Sequence, residues 1–129
     1  MIVVDSSVWI GLLRQSKSPA TDRIRHCKDP NEILVGDIIL HEVLRGARDE
    51  AHAQSILRWL QTFPVVEMMD KQRAINAAAN YRRLREVGVT VRKTADMIIG
   101  TYCLDEGHLL LHEDRDFEPM AVHLGLRFA

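Results

Sequence analysis

IVVDSSVWIGLL, residues 2–13, runs three β-branched apolar residues into an Asp and then into a helical pattern. A short continuous apolar run of this kind fits a strand buried on both faces, and Asp5 ends it. Ser6 is expected to supply the helix N-cap, with Val8, Trp9, Leu12 and Leu13 following at helical spacing. Strand, turn, helix is therefore the unit from which the fold is built, and it leaves a carboxylate at the end of a buried strand.

The same unit recurs outward along the chain. Pro19 begins a second helix expected through Ile24 and Cys27, closed by DPN at 29–31. ILV at 33–35 is a second buried strand, and Gly36 with Asp37 turns into a helix carrying Ile39, Leu40, Val43, Leu44 and Ala47. A helix near 50–61 leads to a third strand at Val65 and Val66, after Pro64. The stretch 70–87 is a long helix with Gly88 as its stop, and Thr94 opens another through Leu104. LLL at 109–111 is a fourth strand, and LRF near the end is read as a fifth. Short buried strands alternating with helices, without hairpin dipeptides, predict an α/β fold around a parallel sheet.

A chain of 129 residues supports one domain, here 1–129, and not two of ordinary size. Apolar residues make up 47% and charged residues 27%, which excludes disordered, collagen-like and coiled-coil classes. The amino end has neither a signal-peptide apolar region nor a membrane span, and Cys27 and Cys103 form no CxxC pair, so a reducing, cytoplasmic setting without a membrane is expected. The charges nearly cancel, with 17 basic against 18 acidic residues, so any nucleic-acid contact must come from local clusters such as Arg82, Arg83, Arg85, Arg92 and Lys93.

In parallel α/β sheets function gathers at the carboxyl ends of the strands. Asp5 follows the first strand, Asp114 and Asp116 follow the fourth, and Glu42 and Asp96 lie early in helices that begin at the same sheet edge. Singly, each has an ordinary structural explanation: a turn for Asp5, Asp114 and Asp116, a helix-dipole interaction for Asp96. Glu42 fits poorly with such explanations, because it sits in the apolar IILHEVL stretch. Together, unpaired carboxylates would raise one another's pKa values and repel, a conflict that a divalent cation removes. Oxygen-only donors point to Mg²⁺ or Mn²⁺, and such a site suits phosphodiester hydrolysis. His41 and Glu42 begin like HExxH, but Arg45 occupies the second histidine's position, so a zinc-protease motif is absent.

Four segments in order, VVDSSVWI at 3–10, IILHEVLRGA at 38–47, KTADMIIGTYCL at 93–104 and LLLHEDRDFEPMA at 109–121, resemble the PIN-domain ribonucleases, in particular the VapC-type toxins of toxin–antitoxin pairs. The resemblance implies a PIN-like three-layer sandwich, a short, mostly parallel central sheet flanked by helices. It implies an acidic quartet at Asp5, Glu42, Asp96 and Asp114, with Asp116 as an additional metal-site acid. Ser6 would support the site by bonding to Asp5 or to a water on the metal. His112 departs from the family pattern, which commonly has Thr or Ser there, and this bears on how Asp114 is oriented.

The implied activity is a Mg²⁺- or Mn²⁺-dependent endoribonuclease that leaves 5′-phosphate and 3′-hydroxyl ends. A homodimer and a cognate VapB-type antitoxin are the implied partners, with the basic residues above as candidate contacts to the RNA backbone. A phosphoacceptor receiver domain would need paired acids after the first strand, and a haloacid-dehalogenase-type phosphatase would need an acid where Ser7 stands. A non-catalytic PIN-like module that binds RNA or protein is the remaining alternative.

Overall fold

The computed structural model describes residues 1–129. Strand β1 (Ile2–Val4) is buried along its whole length and runs directly into helix α1 (Ser6–Leu13). The N-cap of α1 is Asp5, not Ser6: Asp5 has extended backbone and its side chain accepts from the Ser7 amide. An Asp at the strand's last turn can bend back on the second amide of the helix, and Ser6 then becomes the first helical residue.

Helix α2 (Pro19–Arg25) starts with a reciprocal capping box between Ser18 and Thr21 and ends two residues before the expected Cys27. There His26 and Cys27 close a final tight turn, with the Cys27 amide donating to Ile24. Strand β2 (Ile33–Gly36), helix α3 (Asp37–Leu44), helix α4 (Glu50–Leu60) and strand β3 (Val65–Val66) follow. Helix α5 (Lys71–Glu86) is capped by Asp70 and stops before Gly88, whose φ of +82° is open to glycine without strain. Helix α6 (Thr94–Glu106) runs two residues beyond the expected Leu104, to Gly107 at φ +71°. Strand β4 (Leu109–Leu111) and helix α7 (Glu118–Leu124) complete the chain. The expected fifth strand at LRF is reduced to one parallel bridge, Leu110 to Phe128. Gly125 turns the chain out of α7 at φ +80°, and Leu126 is buried in the core, so too few residues remain to extend the ladder.

The four strands pair in the order β3–β2–β1–β4, all parallel, with Ile2 opposite both Ile33 and Leu109. The chain thus steps from β1 to β2 to β3 in one direction and returns to the far side of β1 for β4. Right-handed crossovers then put α1–α4 on one face and α5–α7 on the other, an α/β three-layer arrangement. The reversal lies between β1 and β4, so their carboxyl ends open the crevice where Asp5 and Asp114 stand.

The core supports that edge from below. Trp9 is fully buried edge-on against Trp59, with ring centroids 5.3 Å apart, and its indole N–H donates to the Val4 carbonyl at 3.0 Å. This bond ties α1 to the last residue of β1, one position before Asp5. Arg73 on α5 bonds to Asp105 and Glu106 on α6 while its guanidinium lies 4.9 Å over the Tyr102 ring, which pins the two helices together. No helix is long and apolar enough to cross a membrane.

Candidate active site

Asp5 is held on both sides. Its amide donates to the Leu111 carbonyl of β4 at 2.9 Å, and the residue is 3% exposed. One carboxylate oxygen, Oδ2, accepts from the Ser7 amide at 3.1 Å and from the Ser7 hydroxyl at 2.6 Å. The other oxygen, Oδ1, is buried without a hydrogen-bond partner. Capping therefore uses half of this carboxylate and leaves half of it free.

Ser7 was not singled out by the sequence, yet it is the hydroxyl that organises the site. While donating to Asp5, it accepts from the Glu113 amide at 3.0 Å, which joins the β1–α1 turn to the loop after β4. The expected support residue, Ser6, points elsewhere: its hydroxyl donates to Glu42 Oε1 at 3.3 Å. Successive residues at a helix start rotate by about 100°, so adjacent serines face different neighbours. The Asp-Ser-Ser string contained the right chemistry, but nothing local in it distinguishes the two hydroxyls.

Asp96 lies in the first turn of α6, 3% exposed, and its Oδ2 is likewise buried and unpartnered. Asp114 follows β4: its Oδ1 accepts from the Asp116 amide at 2.9 Å and its Oδ2 meets the Lys93 ammonium at 3.3 Å. His112 sits two residues before Asp114, and its Nδ1 accepts from the Asp114 amide at 3.1 Å, which ties the imidazole to the backbone that carries this acid. Phe117 and Phe128 pack against the imidazole and fix its plane. Asp96, Asp114 and the exposed Asp116 offer oxygens all within 4.8 Å of one another. Asp5 and Glu42 border this group, close enough for their charges to act on Asp96.

The electrostatics follow from burial and crowding. Burial first, then the charges of Asp5, Asp114 and Glu42, push the Asp96 carboxyl from 3.8 up to about 7, with Lys93 opposing. Burial also raises Asp5, against the pull of its Ser7 hydrogen bonds. Glu42 is raised by burial and by the Asp5 charge, with Ser6, Arg45 and Lys93 opposing. Asp114 goes the other way: burial would raise it, but the Asp116 amide and Lys93 outweigh burial and hold it below the usual range.

A buried polar oxygen with no partner costs about 1–3 kcal/mol, more when it is charged. Two of them beside further carboxylates contribute nothing to a stable core. Asp96 belongs to the Asp96, Asp114 and Asp116 group, whose donors are all carboxylate oxygens with no histidine or cysteine, a set that suits a hard divalent cation. Asp5 lies outside that group and acts on Asp96 through its charge.

The basic residues divide. Lys93 reaches the acids, whereas Arg83, Arg85 and Arg92 are exposed and form no ion pair, and Arg85 lies over the Tyr81 ring. Arg82 borders an apolar cavity of about 440 Å³ between α5 and α6, with Met69, Tyr81, Thr94 and Met97. That groove is separate from the acidic chemistry and shares with it only the start of α6.

Comparison with known proteins agrees with this architecture. Residues 2–122 match the family described as PIN domain. The ribonuclease VapC11 of Mycobacterium tuberculosis is 29% identical to this chain, covering 100% of it and 98% of the relative. Among solved structures, the chain superposes on VapBC2 from Rickettsia felis with a TM-score of 0.79 at 14% identity, covering 100% of this chain and 98% of that one. It also superposes on VapC20 of Mycobacterium tuberculosis, a toxin that cleaves the sarcin–ricin loop, with a TM-score of 0.70 at 17% identity over 92% and 93% of the two chains.

Proposed function

The chain belongs to the PIN-domain family, and from that premise we propose that it is the toxin of a toxin–antitoxin pair, a divalent-metal-dependent endoribonuclease. The observation that carries this proposal is the pair of buried, unpartnered oxygens, Asp5 Oδ1 and Asp96 Oδ2, at the sheet's switch point. Asp5, Glu42, Asp96 and Asp114 would hold Mg²⁺ or Mn²⁺, with Asp116 at the exposed margin. When bound, such an ion supplies Lewis-acid neutralisation of the scissile phosphate and an activated water as nucleophile.

The chain's own residues prepare that chemistry. Ser7 turns Asp5 so that one oxygen is spent on the fold and the other is left free for the pocket. The Asp116 amide and Lys93 keep Asp114 ionised. Lys93 beside Asp114, with Arg82, Arg83, Arg85 and Arg92 exposed on α5 and before α6, offers positive charge to an RNA backbone. Water attack, without participation of the ribose 2′-hydroxyl, yields 5′-phosphate and 3′-hydroxyl ends.

The likeness to a VapBC complex extends the proposal to a VapB-type antitoxin that covers the acidic groove, with the toxin as a homodimer in the cytoplasm. Incubating purified protein with total RNA and mapping the new 5′ ends tests the reaction. Mg²⁺ or Mn²⁺ should support cleavage and EDTA should abolish it. Cleavage that survives full chelation, or products ending in a 2′,3′-cyclic phosphate, would refute it.

A further inference from the structure

Lys93 stands where a cation is poorly placed. It is the N-cap residue of α6, with no side-chain cap bond, at the end of the helix where the unsatisfied amides carry partial positive charge. Ser, Thr, Asp or Asn would satisfy an amide there, and a lysine cannot. Its side chain instead leaves the helix and sets its ammonium 3.3 Å from Asp114 Oδ2, across from the first turn that carries Asp96. It is the only lysine or arginine in an ion pair with any of the five acids. The Lys93 carbonyl also accepts from the Asp96 amide at 3.1 Å, so the cation and the buried acid are placed by one turn of backbone. A violation of helix-end preference that brings one positive charge to a crowded group of carboxylates calls for a role at that group.

We propose that Lys93 is a built-in counter-ion that competes with the divalent cation for Asp114. In the metal-free protein its ammonium offsets part of the repulsion among Asp96, Asp114 and Asp116. With a side chain 59% exposed, it can leave for solvent without burying charge or opening the core. Metal binding then includes the exchange of one cation for another at Asp114, and the released ammonium is left at the mouth of the pocket. Lys93 is in this sense a tuning residue: it lowers the affinity for metal. The inference rests on the metal-dependent reading above.

Calorimetric titration of Mn²⁺ into the full chain and its Lys93→Met and Lys93→Arg variants, without RNA, tests it. Methionine keeps most of the aliphatic stem and deletes the charge. Lys93→Met should bind Mn²⁺ roughly five- to tenfold more tightly than the parent, the order expected when one unit charge no longer repels a nearby doubly charged ion through water-like screening. Lys93→Arg, which keeps the charge, should stay within about twofold of the parent. Equal or weaker binding by Lys93→Met, or equal tightening by both variants, overturns the counter-ion role while leaving metal binding intact. A parent that takes up no Mn²⁺ defeats the metal reading itself, and this inference with it.

Discussion

Replacing Asp96 by Asn separates a metal-pocket acid from a helix-end charge, because the two roles give opposite signs in metal-free protein. Folding pushes this carboxyl's pKa from 3.8 up to about 7. An unfolded chain ionises the same group near its ordinary value. The folded state is therefore favoured most below about pH 4, loses stability as pH rises toward 7, and has lost all of this contribution above it. The full loss is ~4 kcal/mol at 1.36 kcal/mol per pH unit. Water and salt at the pocket mouth screen part of it, and Asn forfeits about 0.3–1 kcal/mol of dipole interaction, so the variant should gain ~2 kcal/mol in EDTA near pH 8. For a chain of this size that is a melting temperature about 5–10 °C above the parent. The gap should shrink as pH falls and close near pH 4. Adding Mn²⁺ at about 100 times its dissociation constant should raise the parent by ~2.7 kcal/mol and the variant by much less. Thermal melts of both proteins across pH, with EDTA and with Mn²⁺, check this. A variant that melts below the parent in EDTA at pH 8, yet gains as much from Mn²⁺, would show that Asp96 serves its helix and not a cation.

Three further outcomes are expected. Ser7→Ala removes the hydroxyl between Asp5 and the Glu113 amide, so urea melts should show a loss of about 1–2 kcal/mol and a reduced gain from Mn²⁺, whereas Ser6→Ala should do less of both. In an Asp96→Asn background, expected to bind RNA without cutting it, replacing Arg82 and Arg83 by Ala should flatten the dependence of log affinity on log salt by about 0.7 for each phosphate no longer neutralised, and an unchanged slope places the RNA elsewhere. Arg73→Met breaks the α5–α6 ion pairs away from the acids, so it should cost about 1 kcal/mol of stability while leaving the Mn²⁺ gain as it was; a change in that gain would couple the clamp to the pocket.

The strand, the turn and the helix around Asp5 were legible in IVVDSSVWIGLL because each depends on neighbours within a few residues: β-branched burial, an oxygen before a helix, apolar spacing of 3.6. The parallel sheet followed from repetition of that unit, and with it the expectation that Asp5, Glu42, Asp96 and Asp114 belong to one edge. Tertiary structure decided what depends on distant segments. Which serine grips Asp5 is settled by the Glu113 amide, 106 residues away, and which acid Lys93 meets is settled by β4 lying beside β1. The same dependence removed the fifth strand, since Leu126 is drawn into the core and only Phe128 is left to bridge Leu110. Local patterns state where an acid can stand along the chain; only the packed sheet determines which of its oxygens is spent on the fold and which is left over.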